Sequence, residues 1–199
     1  MSLLAGPMKA INEGMMSFLA GFEHSNPLVL GVIVGCMCAF DMGGPVNKAA
    51  YVTGTALLAQ GNTTFMAGVS AACIAPPLIT GFATLLFGKY FDTNDRNAGL
   101  VNFILGSTHI TEGAIPFAAK DPIRVLPTMM LGSSIAAVLT YLFGVQVPAP
   151  HGGFLVLPVV TGKIQWVTAI LIGSIVGGVI LGLIQKKRAT DEDKKMDNK

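Results

Sequence analysis

Two short stretches set an acid, then glycine, then a proline four residues beyond the acid: Asp41-Met-Gly-Gly-Pro45 and Glu112-Gly-Ala-Ile-Pro116. Each interrupts an apolar run, Leu28 to Phe40 in the first case and Ala98 to Thr111 in the second. An ionisable residue at membrane depth costs at least ~2.5 kcal/mol, so it needs a reason to be there. An ionised carboxylate accepts several hydrogen bonds at once and donates none, which suits it to the hydroxyls of a polyol or sugar. The competing role is structural, a pairing such as Asp41 with Lys48 that braces a turn. No cation follows Glu112 until Lys120, which leaves ligand contact as the expectation for Glu112. For Asp41 both roles stay open.

The neighbours of these acids are chemically apt. His109 precedes Glu112 by three residues and shares a face with it on a helical approach, with Thr111 beside it. Asn47 offers both a donor and an acceptor, and Lys48 serves either Asp41 or a ligand. His151, in PAPHGGFLVLP, opens another broken segment in which a loop role and a site role are equally open. The histidines lack zinc spacing, and neither a Gly-rich phosphate cradle nor a Ser/His/Asp order is present. The chain is therefore expected to bind without a metal or cofactor and to carry no catalytic residue of its own.

The elements that must position these residues belong to a membrane protein. Of 199 residues, 52% are hydrophobic and 12% charged, against roughly 25% charged in soluble domains. Six of the 13 Lys and Arg crowd into residues 186–199, so the net charge of +2 describes chain ends and loops rather than a face for nucleic acid. Cys36, Cys38 and Cys73 lie in apolar runs and are expected to be buried small residues. No removable signal peptide is expected.

A spanning helix takes about 20 apolar residues. Val125 to Val147 and Ile164 to Gln185 meet that length, as does Thr63 to Phe87, where Pro76 and Pro77 predict a kink. Gly173, Gly177, Gly178 and Gly182 form small-xxx-small pairs that let another helix approach. The two interrupted segments are too short to span, and paired Gly/Pro-broken segments are the sequence pointer to a transporter site. The expected fold is an all-α polytopic membrane protein with two re-entrant or broken hairpins. It divides into an amphipathic interfacial helix over 1–23, a membrane domain over 24–185 and a charged tail over 186–199. Lys186, Lys187 and Arg188 after the last span predict a cytoplasmic C-terminus.

AFDMGGPVNKAAY (Ala39 to Tyr51), HITEGAIPFAAKDPIRVLP (His109 to Pro127) and PHGG (Pro150 to Gly153), in that order, resemble the membrane component IIC of the bacterial phosphotransferase system, fructose branch. The resemblance covers nearly the whole chain and corresponds to the second half of such a component. It implies a hexose site, fructose favoured, in which Glu112 hydrogen-bonds sugar hydroxyls. Asp41, Asn47 and Lys48 fall in the first hairpin motif, and His109 and Thr111 join Glu112 in the second. The family commonly has Gly where this chain has His109.

The resemblance further implies phosphorylated IIB and IIA partners, the other IIC half, a homodimer of the complete IIC, and the bacterial inner membrane. Transport would couple to phosphorylation by IIB; Lys120 and Arg124, flanking Asp121-Pro122, either face and steer that acidic partner or serve as positive-inside anchors. A facilitator or secondary transporter without phosphoryl transfer, or a non-transporting fragment, are the alternatives.

Overall fold

The computed structural model describes Gly14, Ser17 and residues 26–197. The amphipathic helix expected over 1–23 therefore lies outside the described residues, apart from those two positions. The described chain is all-α, with seven α-helices and no β-strand. We label them α1 (Pro27–Phe40), α2 (Pro45–Ala59), α3 (Thr63–Leu86), α4 (Thr93–Ser107), α5 (Ile115–Lys120), α6 (Pro122–Leu142) and α7 (Lys163–Asp197). Three of them, α3, α6 and α7 as far as Thr190, are long and apolar enough to cross a membrane.

Local chemistry sets the boundaries. Asn26 caps α1 by accepting from Leu28 N, and Pro27 supplies the fixed φ of a first turn. The chain then turns through Met42 and Gly43, both at positive φ, before Pro45 starts α2. Asn62 caps α3 by accepting from the amides of Thr64 and Phe65. Asp92 does the same for α4 through Asp95 N. Helix α4 stops at Ser107 rather than at the expected Thr111, because His109 takes a left-handed φ of 70° that no helix continues.

Helix α3 is the central post, nearly every side chain from Phe65 to Thr84 being buried, and it runs as one helix through Pro76 and Pro77. Without water to reward burial, helix association in lipid rests on close packing and hydrogen bonds. Gly173 accordingly faces Gly132 and Ala136 of α6, while Gly177, Gly178 and Gly182 seat Ile79 and Phe82 of α3 and Phe87, which follows it. The glycines expected to admit another helix are thus used within the chain. Trp166 Nε1 donates to Ala67 O and Tyr141 Oη to Phe65 O, tying α7 and α6 to the start of α3.

These contacts fix directions. Helices α3 and α7 run parallel, with Trp166 beside Ala67 and Gly182 beside Phe87, whereas α6 runs against both. Helix α1 runs against α6, Gly31 meeting Val138 and Gly35 meeting Ser134. Helix α2 then returns along the first half of α3 and α4 along its second half, Gly54 meeting Met66 and Gly99 meeting Thr84. The helix pairs α1–α2 and α4–α5 therefore approach the middle of α3 from opposite ends, tip toward tip.

Candidate functional site

The two tips meet beside the paired prolines of α3. Proline lacks the N–H that would close a helical bond four residues back, so Pro77 leaves Cys73 O without its usual partner. Thr111 Oγ1 donates to that carbonyl at 3.0 Å. Asn102 of α4, itself buried, donates from Nδ2 to Thr80 Oγ1 at 2.7 Å and to Gly113 O at 2.8 Å, holding the turn after Glu112 against α3. The 3-10 turn Thr111–Ala114 is thus pinned on both sides of Glu112.

On the first tip, Asp41 Oδ2 accepts from Val46 N at 2.7 Å and Oδ1 from Asn47 N at 2.9 Å. Its carboxylate caps the N-terminus of α2, where a negative charge is favoured. The Asp41–Lys48 pair considered from sequence is not formed; the backbone amides lie closer in the chain and satisfy both oxygens. Asn47 Nδ2 donates to Cys38 O at 2.7 Å, satisfying one of the last carbonyls of α1.

Between the tips lies a cavity of about 610 Å³, lined by Gly43, Asn47, Lys48, Tyr51, Cys73, His109, Ile110, Thr111, Glu112 and His151. That volume suits a small molecule, for which clefts run ~300–1,000 Å³. Of the six residues expected to bind, five line it and Asp41 does not. Among the described residues Glu112 has neither a hydrogen bond nor an ion pair to its carboxylate, and Lys48 has no ion pair. An acid, a cation and the carbonyl oxygen of Asn47 thus face one space with their bonding capacity free.

Tyr51 and His151 complete the walls. The Tyr51 ring lies 6.4 Å from that of His109 and 6.2 Å, edge-on, from that of His151. His109 Nδ1 and His151 Nδ1 are 2.8 Å apart, so the PHGG segment reaches back to the second tip. Tyr51 follows Asn47 by four residues on α2, a spacing that puts both on one face and that the sequence makes available. His109 is buried and its left-handed backbone is the conformation glycine adopts without cost, which accounts physically for the glycine expected there.

A second hollow, about 440 Å³, opens at the opposite end near the C-terminus of α3, lined among others by Phe91, Asp92, Asp95, Lys120, Asp121 and Arg188. Its charges are spent on one another. Lys120 bridges Asp92 at 2.9 Å and Asp95 at 2.5 Å, and Asp121 receives Arg124 at 2.9 Å and Arg188 at 3.6 Å. The Asp95 amide, then the Lys120 ammonium, hold the exposed Asp92 below the usual carboxylate range, while Asp95 and Asp92 raise Lys120. Lys120 and Arg124, expected to face a partner, thus lie away from the cavity with acids already beside them.

No family model matches the chain, and no solved structure matches it. Among curated proteins it is 40% identical over 198 residues to the fructose-like permease IIC component 2 of Escherichia coli K12, covering 98% of this chain and 55% of that protein. It is 41% identical over 180 residues to the fructose permease IIC component of Bacillus amyloliquefaciens, covering 90% of this chain and 59% of the relative. It is also 42% identical over 187 residues to the fructose-specific EIIB'BC component of Vibrio cholerae, 92% of this chain and 32% of that longer protein. The chain thus spans somewhat over half of the permease relatives and a third of the fused one.

Proposed function

This chain belongs to the family of fructose-type phosphotransferase IIC membrane components, and from that premise we propose that the cavity between its two tips binds a hexose, fructose in the first instance, for phosphorylation coupled to uptake. The observation that carries the reading is Glu112, a carboxylate without a partner among the described residues, facing a cavity that also presents Asn47, Lys48, His109 and Thr111. Sugar hydroxyls donate and accept together, so they satisfy Glu112 and Asn47 Oδ1 as donors and Lys48 as acceptors. Asp41 serves by position: it fixes the α2 N-terminus from which Asn47 and Lys48 project.

Lys89, Arg96, Lys120, Arg124, Lys186, Lys187 and Arg188 all follow the C-terminal end of α3 in space, which supports placing that end in the cytoplasm. The α1–α2 pair then enters from outside and the α4–α5 pair from the cytoplasm. The sugar reaches the tips from outside, a rigid-body movement of the tip-bearing part exposes it inward, and a phosphorylated IIB protein, itself charged by IIA, transfers phosphate to it. The proposed setting is a homodimer of a complete IIC domain in the bacterial inner membrane.

Glu112→Gln tests the site in the complete transport protein. Hydrogen bonds to a charged group contribute ~1.5–3 kcal/mol each, so labelled-fructose affinity is expected to fall on the order of tenfold to a hundredfold. Unchanged affinity refutes the ligand role. In vesicles, trapped sugar phosphate that requires phosphorylated IIB supports the coupled reaction; equal accumulation of free sugar without IIB would instead identify a facilitator.

A further inference from the structure

The histidine pair carries information that the sugar-binding reading does not use. A neutral imidazole has one donor nitrogen and one acceptor, so a His109 Nδ1 to His151 Nδ1 bond at 2.8 Å uses one shared proton and orders both rings. Among the described residues, His109 Nε2 is buried without a hydrogen-bond partner. Were the shared proton on His151, His109 would carry its own on Nε2, an orphaned buried donor. With the proton on His109 Nδ1, the buried Nε2 is only a bare acceptor, the less costly of the two defects. His151, accepting at Nδ1, must then carry its proton on Nε2.

We propose that His109 orders His151 so that His151 Nε2–H stands as a fixed hydrogen-bond donor to a hydroxyl of the bound sugar, in the same cavity as the Glu112 acceptor. This rests on the sugar-site reading and extends it to a residue on a third segment of the chain. The His151 ring is exposed and lines the cavity, whereas that of His109 is 4% exposed and behind it. The groups that face the pair are Cys73 from α3, Lys48 and Tyr51 from α2, and Glu112 from the turn. Burial, then the neighbouring His109, push His151 below the ordinary imidazole range, which keeps the His151 ring neutral near pH 7. Protonating both rings would set two donors against each other and break the bond.

A donor fixed by a second residue discriminates in a way that a freely rotating one does not. It costs no ordering entropy when the sugar arrives, and it favours a ligand with the matching hydroxyl because the ordered His151 donor is otherwise left unmatched beneath the ligand. His109 is a positioning residue and His151 the contact. The left-handed backbone at His109 supplies a usable variant, since glycine adopts that φ without strain while removing the side chain.

The experiment measures labelled-fructose affinity against pH for the complete transport protein in vesicles. His151→Phe is expected to weaken binding on the order of tenfold, one hydrogen bond left unmade, and His151→Gln, which retains an N–H donor, to recover part of it. His109→Gly is expected to weaken binding several-fold and to move the acid limb of the affinity profile to higher pH, because His151 then titrates without its neighbour. Wild-type affinity in His151→Phe, or an unmoved acid limb in His109→Gly, overturns the proposal while a defective Glu112→Gln leaves the sugar site standing. Wild-type affinity in Glu112→Gln as well overturns both.

Discussion

Gly43 touches the site through what it lacks. Its φ is +107°, and a Cβ built on it would lie 2.5 Å from Glu112 Oε1, 2.9 Å from Cδ and 3.0 Å from Cγ. Gly43→Ala therefore acts twice. The backbone conformation costs ~1–3 kcal/mol for a residue with a side chain. Separately, the carboxylate must withdraw from 2.5 Å to the 3.4 Å at which ordinary contact begins, a displacement of about 0.9 Å. Misplacing an interacting group by ~1 Å can cost up to ~100-fold, so sugar affinity is expected to fall on the order of tenfold or more.

Gly61→Ala separates the two effects. Gly61 has a similar φ of +91° in the turn between α2 and α3, and its Cβ would meet nothing within 4 Å. Thermal unfolding of the purified protein should show both variants destabilised alike, whereas labelled-fructose binding should fall in Gly43→Ala alone. Combining Gly43→Ala with Glu112→Gln should add little further loss, since both act on one contact. Equal binding by Gly43→Ala and wild type, or equal losses in Gly43→Ala and Gly61→Ala, would refute the claim that the first tip sets the position of Glu112.

Three further expectations follow from the contacts around the tips and at the opposite end. Thr111→Val leaves Cys73 O unpaired and should cost ~1–3 kcal/mol in unfolding, while adding Pro77→Ala restores a backbone donor to that carbonyl and should recover much of the loss; additive losses would refute the link. Lys120→Ala with Arg124→Ala should slow IIB-dependent phosphorylation at low salt and converge on wild type at high salt, and rates equal at every salt would end the steering role. The Asp92–Lys120 contribution to stability is lost as pH falls through the carboxylate range, because Asp92 is depressed, and as pH rises past the ordinary lysine value, because Lys120 is raised. Unfolding should therefore show no step from this pair between about pH 5 and about pH 10.

The two acid-to-proline breaks were legible because they defy the apolar background around them, and that contrast located Glu112, His109, Thr111, Asn47 and Lys48. For Asp41 it left ligand and Lys48-paired brace both open and missed the cap: the amides of Val46 and Asn47, at the start of the helix that the proline opens, occupy both carboxylate oxygens. Tyr51 escaped, and His151 was left open between a loop role and a site role, because their partners are distant in sequence: His151 is 42 residues from His109. The three long helices were legible from length alone. The stop of α4 at Ser107 was not, because the left-handed turn falls on a histidine, a residue that does not announce it.

Charge balance ties the cavity to a neutral ligand. Asp41 is answered by two backbone amides, which leaves Glu112 and Lys48, among the described residues, as free opposite charges facing the space. An ion of either sign would meet one attractive and one repulsive partner there, whereas a polyol satisfies both without adding charge. Phosphorylation, on the proposed reaction, changes that balance at once: a phosphate near Glu112 sets anion against unpaired carboxylate, and Lys48 is a single cation to offset it. The acid proposed to hold the sugar would thereby disfavour the product. The same Glu112→Gln vesicles read this out, because removing the charge should narrow the difference in affinity between fructose and its phosphate; a difference unchanged by the substitution would mean that product release is set elsewhere.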